Sequence, residues 1–368
     1  MGSKNDEGAG MTIKRGRKGE LGLEVLPLVH MALPEPDGQT LLRDRHPETM
    51  AAIGHALRAS LDNISRLQGQ QAQYAFEAVV VALGGVRLIK TEDSGSYYFD
   101  DADGELRPPD FRIILRDGTV LLVEVKLVPP GKEKKVKVRA KDMEATEAYA
   151  RATGGRLLYA HYWSGPNLWT LVPPSAFQRD VGQQRLTVSA AMMANEMGIL
   201  GDAFLGGKPP LTVSVLMDTG MEKSVEAEDE SDQRLMTTAG VELSSAGKVI
   251  KDPAELKLAW FLAWHSGWIP TQRAQFDSLG RVARINYDFA PDVDKDQMRE
   301  IAKQGFAFFG ALSTLYTARF RRATTTDGGD IRALSEEPRP ALMAQLVPED
   351  YWEQDRILGL WKFNLKPQ

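Results

Sequence analysis

Nine consecutive residues, Val120 to Val128, constrain this chain more than any other stretch. Seven of the nine are Val or Leu, a composition that favours extended backbone buried on both faces. Alternate side chains of a strand lie on opposite faces, so Leu121, Val123, Val125 and Leu127 form one wholly apolar face. Glu124 and Lys126 interrupt the other, between Leu122 and Val128. A carboxylate and an ammonium on a central strand are costly to bury unless they bind a metal, a ligand or each other. The run therefore predicts a central strand, and its two charges predict a site.

A second carboxylate, Asp110, precedes the strand Phe111 to Leu115, which is separated from Val120 to Val128 by the hairpin signature Asp117-Gly118. A strict two-residue turn pairs Leu115 with Val120, and so Asp110 with Val125, on the wrong face. A three-residue loop with Gly118 in the bulge position, or a bulge near Asp110, sets Asp110 beside Glu124. The shifted register is expected, because two adjacent carboxylates form an oxygen cage suited to magnesium or manganese.

Around this pair, apolar spacing between Pro47 and Leu83 predicts two helices, broken near Gln68 to Gln71 and stopped by Gly84-Gly85. A short strand, Val86 to Lys90, follows. After the two central strands come a basic loop, a helix from about Arg139 to Arg151, and a strand from Arg156 to Tyr162. The order is helix, three strands, helix, strand. Leu21 to Leu33 in the N-terminal arm reads as a strand. Beyond Pro173-Pro174, Leu186 to Met197 reads as helix, Leu211 to Met217 as strand and Glu222 to Asp232 as a solvated acidic loop. Helices at Pro253 to His265 and Asp296 to Arg322 complete a mostly helical α+β region. The expected division is an arm over 1–45, an α/β domain over 46–180 and a mostly helical domain over 181–368.

Pro109-Asp110 and Glu124-Val125-Lys126, in this element order, resemble the PD-(D/E)XK nuclease superfamily, the fold of many restriction enzymes and Holliday-junction resolvases. The resemblance covers residues 46 to 172. It implies a restriction-endonuclease-like core, a mixed central sheet flanked by helices in the order αβββαβ. It implies that Asp110 and Glu124 hold magnesium or manganese, that the Val125 carbonyl adds a ligand, and that Lys126 positions the attacking water or steadies the phosphorane. Glu77 occupies the place of a helix glutamate that many members carry. The implied activity is a metal-dependent endonuclease or exonuclease, on DNA rather than RNA, with restriction or antiviral defence as a setting by analogy. The rival is a non-catalytic or partner-activated module that keeps the fold for nucleic-acid binding or assembly.

Composition narrows the alternatives. The chain has no cysteine, which excludes disulfides, thiolate zinc sites and a cysteine nucleophile. It has no apolar run near the roughly 18 residues of a membrane helix and no secretory signal, so a cytoplasmic location is expected. The net charge of −5 does not advertise a nucleic-acid binder, so any such surface is local. The stretch 126–141 supplies it: Lys126, Lys132, Lys134, Lys135, Lys137, Arg139 and Lys141 oppose Glu133 alone, a net +6 over 16 residues that can offset phosphate charge. Trp260, Phe261, Trp264 and Trp268 at helical spacing read as packing. The five histidines lack metal-ligand spacing, and His161 on the last core strand reads as structural. Residues 181–368 are left for targeting or control, through a protein partner or a second copy of the chain.

Overall fold

The computed structural model describes residues 41–93, 97–100, 104–132, 136–224, 234–292, 305–353 and 355–363. The expected strand at 21–33, Lys134, Lys135 and most of the acidic loop lie outside them. Two compact units are present: the first runs to Leu200 and takes in Phe320–Ala341, and the second holds Gly201–Arg319 and the described part of Leu342–Lys366.

The first unit begins with helices α1 (His46–Leu61) and α2 (Ile64–Leu83). They break at Asp62-Asn63, not at the expected Gln68 to Gln71, because the Asn63 side chain accepts the Arg66 N–H at 3.0 Å and caps α2. Glutamine is a good helix former, and the Gln run stays helical. Gly84, at φ 73°, ends α2 in the left-handed conformation.

A five-stranded sheet follows: β1 (Val86–Thr91), β2 (Phe111–Leu115), β3 (Val120–Val128), β5 (Arg156–Trp163) and β6 (Leu168–Val172), in the order β1-β2-β3-β5-β6. The β3–β5 pairing is parallel and the others are antiparallel, so β3 is central in a mixed sheet. On one face α2 places Phe76 against Phe111 and Trp169, with ring centroids 5.9 and 5.4 Å apart. On the other, Leu122, Val128, Tyr159 and Trp163 pack with Met143 and Ala150 of α3 (Ala140–Thr153). At Gly155, just after α3, a Cβ would stand 2.7 Å from the Leu122 side chain, so glycine is what lets the chain pass so close to β3.

The expected basic loop is partly a strand. Val136–Arg139 forms β4 and pairs with β8 (Gln183–Leu186), which also pairs with β7 (Gln178–Asp180). Phe177, Leu186 and Ala191 join the core beneath. A helix does occur near the one expected at Leu186 to Met197, but it is the shorter α4 (Val188–Met193).

The second region is mostly antiparallel sheet, which corrects the expectation of a mostly helical one. Strands β10 (Leu211–Ser224), β11 (Arg234–Ser245), β12 (Lys248–Val249), β13 (Ile269–Phe276) and β14 (Val282–Ala290) form one sheet, in the order β12-β11-β10-β14-β13. A smaller sheet joins β9 (Phe204–Gly207), β15 (Ala307–Ala311) and β16 (Leu360–Phe363). The helix at α5 (Pro253–His265) is as expected. Of the long helix expected from Asp296, the described part is strand up to Ala311, and only α6 (Leu312–Thr324) is helical. Of the missed strands, β13 is exposed at all eight positions, so burial gives its sequence no apolar face to alternate, whereas β14 does alternate Ile285, Tyr287 and Phe289 with Arg284, Asn286 and Asp288. No helix among the described residues is long and apolar enough to cross a membrane.

Candidate functional site

The β2–β3 turn decides which residues can meet. Leu115 N–H donates to the Thr119 carbonyl at 2.9 Å and Gly118 N–H to the Leu115 carbonyl at 3.1 Å, so Arg116, Asp117 and Gly118 form the loop. Gly118 has φ 90°, where a side chain is strained, and the Asp117 carboxylate accepts the Thr119 N–H at 2.9 Å. Ile114 consequently opposes Val120 and Phe111 opposes Val123. One step further, the same register sets Asp110 across from Glu124.

Both carboxylates are buried, at 6 % and 7 % exposure. Asp110 is held at both oxygens: Oδ1 accepts from Gln73 Nε2 and Oδ2 from the Val125 N–H, each at 2.6 Å. Its backbone is held too, since the Asp110 carbonyl accepts the Glu92 N–H at 2.9 Å. Burial, and then the charge of Glu124, push the Asp110 carboxyl up to about 7, against the Val125 bond and the Lys126 charge. Glu124 Oε1 accepts from Lys126 Nζ at 2.5 Å, so the ammonium sits where it neutralises one member of the crowded pair.

Glu77 lies half-buried on α2, one turn beyond Gln73. The described bond from this helix to Asp110 comes from Gln73, a residue that the helical period placed on the same face as Glu77 but that sequence reasoning passed over for want of a charge. Asp93 was missed as well. Though the residue is exposed at its surface, its carboxyl is raised, by partial burial first and the Glu124 charge second, with the Asp110 side chain working the other way. Extending the antiparallel β1–β2 register past Thr91↔Phe111 points to that neighbourhood. Tyr159, opposite Glu124 on β5, is buried and held in its phenol form by burial and by the Glu124 charge. Beside them Glu92 accepts from Arg112 at 2.5 and 3.1 Å and from the Tyr149 hydroxyl at 2.6 Å. Burial opposes ionisation there, yet the Arg112 and Tyr149 bonds keep Glu92 below the usual carboxylate range.

The basic residues divide. Lys132, Lys137, Arg139 and Lys141 are exposed, with Lys137 and Arg139 flanking inward-facing Val138 on β4. Arg139 donates to Asp142 at 2.7 Å, so part of its charge is already matched. Lys134 and Lys135 lie outside the described residues. Among those described, no group of three or more His, Asp or Glu side chains is arranged to hold a metal ion.

No protein-family model and no curated protein matches the sequence. Among solved structures, the chain is similar to a Holliday junction resolvase, Hjc, from the archaeal hyperthermophile Archaeoglobus fulgidus. The identity is 18 %, over 34 % of this chain and 95 % of that one, with a TM-score of 0.27.

Proposed function

We propose that the first unit is a divalent-cation-dependent nuclease that hydrolyses phosphodiester bonds of nucleic acid, DNA in preference to RNA. The observation that carries this reading is the buried Asp110–Glu124 pair, set side by side by a one-residue register shift and costly to keep without a cation. Magnesium or manganese suits it: magnesium commonly rests on one or two carboxylates and keeps several waters, so the pair fits although no group of three acids among the described residues is arranged as a metal cage. Asp110 and Glu124 would hold the ion, with the Val125 carbonyl beside them, since the N–H and C=O of one strand residue point to the same edge and the Val125 N–H already reaches Asp110. Glu77 is the helix residue nearest in sequence pattern to a further ligand. A bound cation would polarise the phosphate and acidify a water.

This chain's own residues do the rest. Gln73 and the Val125 N–H fix the Asp110 carboxylate, leaving it little freedom to collapse onto Glu124. Lys126, freed from Glu124, can donate to a phosphate or water oxygen, which an ammonium does and a cation ligand cannot. Lys132, Lys134, Lys135, Lys137, Arg139 and Lys141 supply phosphate contacts without base specificity. The second unit acts in targeting, assembly or control, with a protein partner or a second copy of the chain. The Lys126–Glu124 bond supports a second reading, a binding module whose ion site is already neutralised from within. Incubating the full chain with single-stranded, duplex and branched DNA and with RNA, with magnesium and with chelator, separates the two. Magnesium-dependent cleavage lost in Asp110→Asn supports the nuclease, and binding without cleavage supports the module.

A further inference from the structure

His161 is wholly buried, and neither ring nitrogen has a hydrogen-bond partner among the described residues. Native interiors rarely leave such groups unsatisfied. Its surroundings offer almost nothing: the ring lies 5.7 Å from Trp163, 5.8 Å from Phe177 and 6.4 Å from Tyr159, centroid to centroid. Its cross-strand neighbour Thr170 accepts the Trp163 indole N–H, at 2.8 Å, and makes no bond to the imidazole. Burial, and then the charge of Lys126, hold the imidazole neutral by lowering it to about 3, against the nearby Tyr159 backbone carbonyl, which favours the charged ring. A neutral imidazole keeps one nitrogen with a lone pair.

The strand pairing identifies the donor. Lys126 stands opposite His161 in the parallel β3–β5 ladder, as Glu124 stands opposite Tyr159. Directly paired residues share a sheet face, so Glu124, Lys126, Tyr159 and His161 lie on one side. The ammonium is engaged by Glu124, and its charge acts on His161.

We infer that His161 is a positioning residue for Lys126: when the Glu124 carboxylate is taken by a cation, the ammonium turns to the imidazole lone pair and is held there for the reaction. This rests in part on the nuclease reading, but the exchange of partners is testable without metal or substrate. A histidine-15N-labelled full chain carrying Glu124→Leu, in chelator, has no carboxylate at that position. The unprotonated His161 nitrogen, assigned with His161→Phe, should move upfield relative to wild type, as an accepting imidazole nitrogen does. Adding Lys126→Met should reverse that movement. An unmoved signal, or the same movement without Lys126, overturns the inference. If Glu124→Leu does not fold, Glu124→Met, which fills the same space without an oxygen acceptor, gives the same comparison.

A second readout separates positioning from packing. In the magnesium-loaded enzyme His161→Phe, which keeps a ring, should lower kcat about tenfold with KM unchanged, and His161→Asn, which restores an acceptor, should recover part of it. Equal loss in both variants would make His161 a packing residue. Absence of all cleavage in wild type would fail the nuclease reading, while leaving the spectroscopic result to decide His161.

Discussion

Each unit buries carboxylates, and they are buried differently. In the second unit Asp202, 8 % exposed, accepts the Ala203 N–H at 3.0 Å, the Ser313 N–H at 2.9 Å and the Ser313 hydroxyl at 2.6 Å. It ties the start of α6 in place. Burial raises it to about 6, and each hydrogen bond works the other way. Glu255 of α5, 3 % exposed, accepts the Leu358 N–H at 2.7 Å. In the first unit Asp110 is raised by burial and also by a second buried carboxylate. Burial of an acid is thus no mark of function. A buried acid whose neighbour is another acid is the sharper pointer to a candidate site, because like charges held together ask for a cation.

The comparison breaks most visibly in turnover. Asp110→Asn or Glu124→Gln should lower magnesium-dependent cleavage by about a hundredfold to a thousandfold or more, whereas Asp202→Ala, assayed at a temperature where it stays folded, should cleave near the wild-type rate. Equal losses in a cleavage assay would erase the distinction. Stability should show the reverse order. Asp202→Ala strands three donors, two of them backbone, and should cost about 2–4 kcal/mol in urea unfolding.

Asp110 should instead gain stability on substitution, with a pH dependence of definite sign. Its folded value of about 7 lies above its ordinary 3.8, so the folded state holds the proton more tightly. Stability from this group is therefore full below about pH 4 and is lost as pH rises through about 7. In chelator, Asp110→Asn should match wild type at pH 4 and exceed it at pH 8, and magnesium should narrow that gap. A variant less stable than wild type at pH 8 would class Asp110 with Asp202. The smallest effect concerns the surrounding charge. Lys132→Ala with Lys137→Ala should flatten the log-log salt dependence of duplex binding by up to about 1.8, or 2 × 0.9, and an unchanged slope would assign those lysines to solubility.

The site was more legible than the region after it, for reasons visible in particular residues. Val120 to Val128 is long, apolar and broken only by Glu124 and Lys126, and Gly118 after Asp117 names its own turn. Alternation then leaves one register that joins the acids. Gln73 and His161 were illegible because neither carries charge at neutral pH, and each acquires meaning only from the strand or helix beside it. In the second unit β13 shows no buried position, and Ala307–Ala311 runs straight into α6 at Leu312 with no proline or turn segment between them. Composition there could not tell strand from helix, and long-range pairing decided it.

The Arg116-Asp117-Gly118 turn is a parity device. Removing or adding a single residue there would keep a hairpin with the same two strands, the same apolar content and nearly the same ladder, yet rotate Asp110 to the opposite face from Glu124. Loss of the site would then come from a length change in a solvent-facing turn, with every residue of the site still present. Chains that differ from this one by a single insertion or deletion in that turn should be read as having lost the carboxylate pair even when a motif search finds both acids intact.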